Sequence, residues 1–506
     1  MFIRQNKNRS GSISVQVVSK LGGKYKVLYT AGSGQLPEQL ELLKIKAQKF
    51  IEDQSRTLPL FLEKEDLWVQ AFVESLSNNN LRIVGPQLIL DKVYDRLFPI
   101  AAKPYFKDLV LCRIIYPGSK LRTVEYLARH FNMEVSEQTI YRALDTLDDQ
   151  QKKVIEDCTY QYVKEFSGGI VSLVFYDMTT LYFETETEDD LRKIGYSKDG
   201  KHQHPQIMIG LLVDAGGHPI AYDVFEGNKA ETKTLLPLIE KIVKRFNLNK
   251  PTIVADAALL SKENLALLHN NGYSYILGGR IRNESELIKQ KILQANVTEE
   301  SPVALSHPYG RLIVSYSQSR SNKDFFNRQK GLKRLEQKVR TNKLTKEAIN
   351  NRGYNKYLKL EGETRVSIDR KAFEADKVWD GLKGYMTNTD KSPVEIIDAY
   401  SSLWQVEKAF RMSKSDLRFR PIYHRKANRI KSHLIICFAA YATFKALEKI
   451  MKENGLQITP QKAIDALKEV QEITYQLPAS GSRAASPVFN IAAPEAKFSF
   501  LGYHFA

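Results

Sequence analysis

Residues 170–177 read IVSLVFYD, an almost unbroken apolar run closed by an acid. A run this short and apolar fits a strand covered on both faces, as in a layered α/β sheet. The neighbouring sequence keeps the same grammar. Residues 207–213 (IMIGLLV) and 220–225 (IAYDVF) read as two more strands, joined through Gly216-Gly217 as an antiparallel pair. A helix fits 231–246. The strand 252–255 (TIVA) runs into a second acid, Asp256. A helix at 261–270 and a strand at 274–278 complete a β-β-β-α-β-α-β order. That order predicts an α/β fold with a mixed sheet and helices on both faces.

Ligands of open α/β sheets collect beyond the carboxyl ends of the strands. Asp177 and Asp256 are therefore expected to face each other across adjacent strands. Clustered carboxylates repel and need a cation between them. Oxygen donors suit Mg²⁺ or Mn²⁺ better than zinc. A third acid, Glu407, is marked by its neighbours. If 393–416 is one helix, Tyr400, Trp404, Glu407, Arg411 and Lys414 share one narrow face, with Val406 and Phe410 beside them as anchors. Simple i,i+4 ion pairing accounts for Glu407 and Arg411, but not for Tyr400 and Lys414.

The chain of 506 residues has room for several domains. Its formal charge is +17, from 75 Lys and Arg against 58 Asp and Glu, which points to a polyanionic partner such as nucleic acid. The surplus is locally concentrated. Residues 411–433 hold eight Lys and Arg, two His and one acid, with Phe419 and Tyr423 between them. That mixture suits phosphate contacts with base or sugar packing. Three scattered cysteines, Cys112, Cys158 and Cys437, exclude a disulfide framework and a cysteine-built zinc site. The apolar run 434–444 is too short to span a bilayer and reads as a buried helix. No Walker loop, H-E-x-x-H or G-x-S-x-G is present, which argues against nucleotide hydrolysis, zinc peptidase and esterase chemistry.

Elsewhere, 11–31 reads as a β-hairpin around Gly22-Gly23, and 36–55 and 63–76 as helices. Residues 80–165 are helical, and 119–147 fits a helix-turn-helix or a plain αα-hairpin equally. Residues 280–385 interrupt the α/β unit with strand-like pieces (311–317, 364–388) and a basic helix near 320–346. His202 and His204 read as surface histidines, and the acids at 184–190 as a solvated loop. Asp214, Asp223 and Glu226 are turn or edge residues, or extra carboxylates of the site.

Together these residues resemble the DDE triad of bacterial insertion-sequence transposases, in the group founded by insertion sequence "four". That group's signature runs Tyr, two residues, Arg, three residues, Glu, six residues, Lys. Tyr400, Glu407 and Lys414 match at this spacing; Leu403 stands where Arg is usual, with Arg411 a candidate substitute. YDMTTLYFE (176–184) and VADAALLS (254–261) resemble the two aspartate motifs. LRFRPIYHRKANRIKSHLIICFAAY (417–441) is similar to the family's downstream basic helix. PGSK (117–120), LRKIGYSKDGK (191–201) and WDGLKGYMTNT (379–389) resemble the longer-chain branch.

The resemblance implies an RNase H-like core interrupted by a β-rich insertion, with a helical N-terminal DNA-binding region. The divisions would be 1–75 (hairpin and helices), 76–165 (helical, end-binding), 166–279 (core, first part), 280–385 (insertion), 386–453 (core, second part) and 454–506. The activity implied is metal-dependent cleavage and strand transfer at the inverted-repeat ends of a mobile element. Asp177, Asp256 and Glu407 would hold two Mg²⁺ ions, with Mn²⁺ able to replace them and Asp177 bridging. Tyr400, Arg411, Lys414, Arg420, His424, Arg425 and Lys426 would contact DNA. Trp404 would stack on a base or pack against the insertion. The partners would be duplex DNA, at element ends and target, and a second copy in a synaptic homodimer. The setting would be the bacterial cytoplasm, at the nucleoid, with no membrane. Two alternatives stay open: another RNase H-fold nuclease, and a catalytically dead DNA-binding relative.

Overall fold

A computed structural model describes residues 1–488 apart from 9–10, 22, 55–80, 101–102, 186, 196–202, 231–232, 249, 342–348, 351–352, 362–364, 421 and 477–482. The expected helix 63–76, His202 and most of the tail lie outside the described residues. The chain divides into two compact units, Met1–Leu81 with Glu472–Ser486, and Arg82–Gln471 with Pro487–Ala506.

In the first unit, β1 (Phe2–Lys7), β2 (Ile13–Leu21) and β3 (Lys24–Gly34) form an antiparallel sheet in that order. The β2–β3 hairpin is the one expected, closing at Leu21↔Lys24. Helix α1 (Pro37–Gln54) covers the sheet, where Ala47 meets Val15 and Val17 and Phe50 stacks on Tyr29 at 4.4 Å.

The second unit begins with helices α2 (Gly85–Leu97), α3 (Phe106–Ile115), α4 (Lys120–His130), α5 (Glu137–Asp145) and α6 (Asp149–Phe166). Strands β4 (Leu173–Tyr182), β5 (Gln206–Val213) and β6 (Pro219–Glu226) follow as an antiparallel meander. After α7 (Leu235–Phe246) comes β7 (Thr252–Ala255), and after α8 (Lys262–Asn270) comes β8 (Tyr275–Gly279); both strands run parallel to β4. The spatial order of these five strands is β6-β5-β4-β7-β8.

The region 280–385 does not form a β-rich piece standing apart. After α9 (Glu286–Gln294), its strands β9 (Val303–His307) and β10 (Gly310–Tyr316) join the main sheet. They do so through the last strand of the region, which pairs with β8 and extends the sheet to eight strands. Their buried Leu312, Ile313 and Val314 continue the same two apolar faces, which is the physical reason they add to the sheet. What is separate is smaller: helix α10 (Gln318–Arg340) packs Leu332 and Leu335 against a two-stranded sheet of β11 (Leu358–Glu361) and β12 (Arg365–Ile368) and against Phe373 of α11 (Arg370–Ala375). Strand β13 (Leu382–Thr387) returns to the main sheet.

The rest is helical: α12 (Pro393–Ser401), α13 (Trp404–Ser415), α14 (Ala427–Glu453) and α15 (Pro460–Leu467). Alternate strand residues enter two cores. Phe175, Leu211, Val254 and Ile276 face α13 and α14, whereas Val174, Tyr176, Ile253 and Leu277 face α7 and α8. Helix α14 is buried along most of its length, as expected for its apolar run. The α4–α5 hairpin packs onto it, where Ser432 Oγ donates to Leu144 O and Arg429 pairs with Asp145 at 2.7 Å. Among the described residues no helix is long and apolar enough to cross a membrane.

Candidate active site

Two sequence expectations about the carboxylates need correction. Asp177 does not end its strand; it lies in the middle of β4, because Met178 to Leu181 are buried and keep pairing with β5. Residues 393–416 are not one helix. Leu403 N donates to Tyr400 O and Val406 N to Leu403 O, i→i+3 bonds that tighten the backbone between α12 and α13. The hydroxyls of Ser401 and Ser402 both turn back onto Asp398 O, the local competition that weakens a helix. Tyr400 therefore lies in the last turn of α12, while Trp404, Glu407, Arg411 and Lys414 belong to α13.

The sheet nevertheless gathers the acids. Tyr176 pairs with Ala255 in parallel register, so Asp177 and Asp256 occupy the next positions of neighbouring strands. Both share the parity of Phe175 and Val254, the face covered by α13. Asp256 caps a short 3₁₀ turn, accepting from Ala258 N at 2.8 Å. Val406 and Phe410 seat α13 in the core, as expected, and leave Glu407 exposed on the other side. Asp177, Asp256 and Glu407 line a single pocket of ≈ 600 Å³. Thr179, Arg411, Lys414 and Arg420 line it too, so the anionic centre has a cationic wall. Among the described residues no three His, Cys, Asp or Glu side chains converge closely enough to clasp an ion directly. The donor set of three carboxylates fits a hard divalent cation in kind.

Tyr400 sits at the edge of this centre. Burial, then the charges of Asp256, Tyr385 and Glu407, raise its pKa, with Arg320 opposing. Leu403, in the usual arginine position, is buried and lines the pocket. Trp404 is 51% exposed, lies under Lys408 Nζ at 5.7 Å, and does not line the carboxylate pocket.

The downstream basic stretch is not helical at its start. Described residues between Asp416 and Lys426 carry no helix, and Arg418 takes φ +44°. Arg420 lies in that stretch beneath the Tyr182 ring at 5.6 Å. His424 is buried between Tyr141 and His433. Burial, then Lys120, Arg429 and Arg113, bring its pKa down to about 4, so it is neutral at pH 7. Arg425 lines an adjoining pocket with Phe183, Thr185 and Arg192, and exposed Lys426 precedes α14.

Asp214, Asp223 and Glu226 stay out of the carboxylate pocket. Asp214 accepts from His218 N at 2.7 Å in the β5–β6 turn, and Asp223 pairs with Lys152 and Lys241. His204 is half-buried beside Tyr182. In the acidic loop, Asp189 is engaged by Arg192 at 2.8 Å.

Sequence reasoning missed two cations. Lys383 Nζ lies over the rings of Tyr400 at 4.4 Å and Tyr385 at 5.2 Å. Burial and Arg320 lower its pKa while Glu407 raises it, so Arg320 of α10 and Glu407 both bear on the same spot. A lysine inside an otherwise apolar strand was the available signal.

A family model described as "Transposase DDE domain" matches residues 172–443, more than half of the chain. The chain belongs to the DDE transposase family. This transposase is thus an enzyme that cuts DNA and transfers strands, and enzymes of the family depend on a divalent metal. No curated protein matches it. Among solved structures, a piggyBac transposase synaptic complex with hairpin DNA matches at 10% identity and TM-score 0.39, covering 79% of each chain. The Mos1 mariner paired-end complex with Mn matches at 13% identity and TM-score 0.15, covering 46% of this chain and 71% of that one. Scores of this size do not establish a common fold.

Proposed function

We propose that this transposase belongs to the insertion-sequence "four" group and cuts the inverted-repeat ends of its element with Asp177, Asp256 and Glu407. The observation that carries this reading is the single pocket those three acids line, assembled from β4, the end of β7 and α13. The strand order β6-β5-β4-β7-β8, with an antiparallel meander followed by two parallel strands, supports an RNase H-like core. The Tyr400–Glu407–Lys414 spacing supports the group.

Asp177, Asp256 and Glu407 would hold the two Mg²⁺ or Mn²⁺ ions, Asp177 serving both and Asp256 and Glu407 one each, as the family resemblance implies. Bound there, the ions would activate the attacking oxygen and stabilise the leaving one. Arg411, Lys414 and Arg420 hold phosphates of the cut strand along the pocket wall. The Tyr400 hydroxyl, kept protonated by burial and then by its acidic neighbours, serves as a donor. Residues 1–75 and 76–165 contribute end binding, and two copies pair the ends in a synaptic homodimer.

The test is cleavage of a plasmid carrying the gene's own flanking DNA, with Mg²⁺, by wild type, Glu407→Gln and Asp256→Asn. Cuts at inverted repeats that both variants lose support the reading. Cutting by either variant at the wild-type rate removes these acids from the chemistry. Preferential cutting of junctions or RNA·DNA hybrids would point instead to a different nuclease.

A further inference from the structure

A second pocket, of ≈ 440 Å³, adjoins the carboxylate pocket and shares Arg420 with it. One wall is the N-terminal turn of α4, where Ser119 caps the helix and Lys120, Leu121 and Arg122 line the cavity. The other is the non-helical stretch with Arg418, Tyr423 and His424. Five cations line it, Arg113, Lys120, Arg122, Arg418 and Arg420, against one acid, Glu137.

Two of these cations are buried without a counter-ion among the described residues. Arg113 is 6% exposed, its Nε has no partner among the described residues, and its Nη1 reaches only Arg418 O at 3.4 Å. Lys120 is equally buried, and no carboxylate lies within 4 Å of it among the described residues. His433, buried as deeply, leaves Nδ1 unpartnered in the same wall. A guanidinium cannot shed its proton, so burial without an anion is costly, and no carboxylate among the described residues pairs with it. The ammonium responds instead: burial and Arg113 bring the Lys120 pKa down to about 7. Fixed donors, a helix N-terminus and missing negative charge describe an anion site.

We propose that this pocket binds a backbone phosphate of the DNA strand cut at the carboxylates, one adjacent to the scissile phosphate. The proposal rests on the transposase site read above. Arg420 selects DNA over a free anion: it lines both pockets, so a strand lying in one continues into the other. Neutral His424 and His433 shape the cavity without adding charge.

The experiment uses the full chain, with inorganic phosphate and a duplex oligonucleotide as probes, in wild type, Lys120→Met and Arg418→Gln. Replacing chloride by phosphate at equal ionic strength is expected to raise the wild-type melting temperature by a few degrees and to leave Lys120→Met unmoved. In chloride, Lys120→Met is expected to melt above wild type, because an uncompensated charge has gone. Its slope of log binding constant against log salt should fall by about 1. Arg418→Gln, at an exposed position, should show the same slope change with an unaltered core. A phosphate shift lost in Lys120→Met with an unchanged slope would make the occupant a free anion and overturn the DNA assignment. A lower melting temperature in Lys120→Met with the full slope retained would make the lysine structural and overturn the site. A flat salt response of wild type would overturn the transposase reading itself, an outcome distinct from a steep slope that both variants share.

Discussion

The hydroxyl of Tyr400 stands over the backbone of Gly278, so close that a Cβ at that glycine would lie 2.6 Å from Tyr400 Oη and 2.9 Å from Ala257 N. Gly278 belongs to β8, Tyr400 lies in the last turn of α12, and Ala257 follows Asp256. Gly278 thus leaves space for the ring that borders two of the three acids. Gly278→Ala is expected to push Tyr400 outward and to destabilise the protein by about 1–3 kcal/mol through overpacking. End cleavage should fall at least tenfold in protein that still gives the wild-type circular-dichroism spectrum. Full activity with unchanged stability would show that Tyr400 needs no fixed seat.

Lys383 is expected to matter to the chemistry although it lies in the inserted region. Lys383→Met keeps the stem over Tyr385 and Tyr400 but removes the charge beside Glu407. Cleavage should drop roughly 10- to 100-fold, or about 1.4–2.7 kcal/mol of barrier, with Lys383→Arg recovering part of it. Single-turnover cleavage at saturating DNA separates this effect from weakened binding.

Arg411 is expected to take over from the arginine absent at position 403. It is exposed, lines the carboxylate pocket and stands on α13 one turn after Glu407, whereas Leu403 is buried. Arg411→Ala should reduce the salt slope of DNA binding by about 1 and leave the melting temperature unchanged. A loss of stability without a change in slope would assign the side chain to folding.

Metal dependence has a readout besides activity. Mg²⁺ should raise the wild-type melting temperature by relieving repulsion among Asp177, Asp256 and Glu407, and should raise that of Asp177→Asn less. Chelation should abolish cutting while DNA binding persists. Equal stabilisation of both proteins would place the ion elsewhere.

Helix α13 is tied to α14 through Glu448, which accepts from Lys408 at 2.9 Å and also pairs with Lys445. Burial favours the neutral acid, but the two lysines outweigh it and hold the Glu448 pKa at about 2. Its folded value lies below its usual 4.5, so its stabilisation is complete above about pH 4.5 and lost as pH falls toward 2. Glu448→Gln leaves Lys445 buried without a counter-charge and should cost about 3–5 kcal/mol near pH 7, less in acid. Denaturant titration across pH 3–7 checks this. A pH-independent difference would refute it.

The apolar runs at 207–213, 220–225 and 252–255 and the Gly216-Gly217 turn were legible locally, because strands buried on both faces need nothing but neighbouring residues to declare themselves. The family resemblance likewise selected Asp177, Asp256 and Glu407 from short motifs. The position of Asp177 in its strand was misread, since Met178 to Leu181 look polar or neutral only until β5 covers them. The split between α12 and α13 escaped a uniform helical period because it depends on which carbonyls Ser401 and Ser402 engage.

The sequence by itself therefore determined the layered α/β class, the basic character and the three acids. Only the tertiary structure decided that strands of 280–385 extend the main sheet, that Lys383 and Arg320 bear on Tyr400, and that Arg113 and Lys120 are buried together beside Arg420. The reason is physical. Periodicity reports which residues leave water, whereas the field at a charged group depends on partners brought near by chain folding, which can be remote in the chain, as Arg113 and Arg420 are.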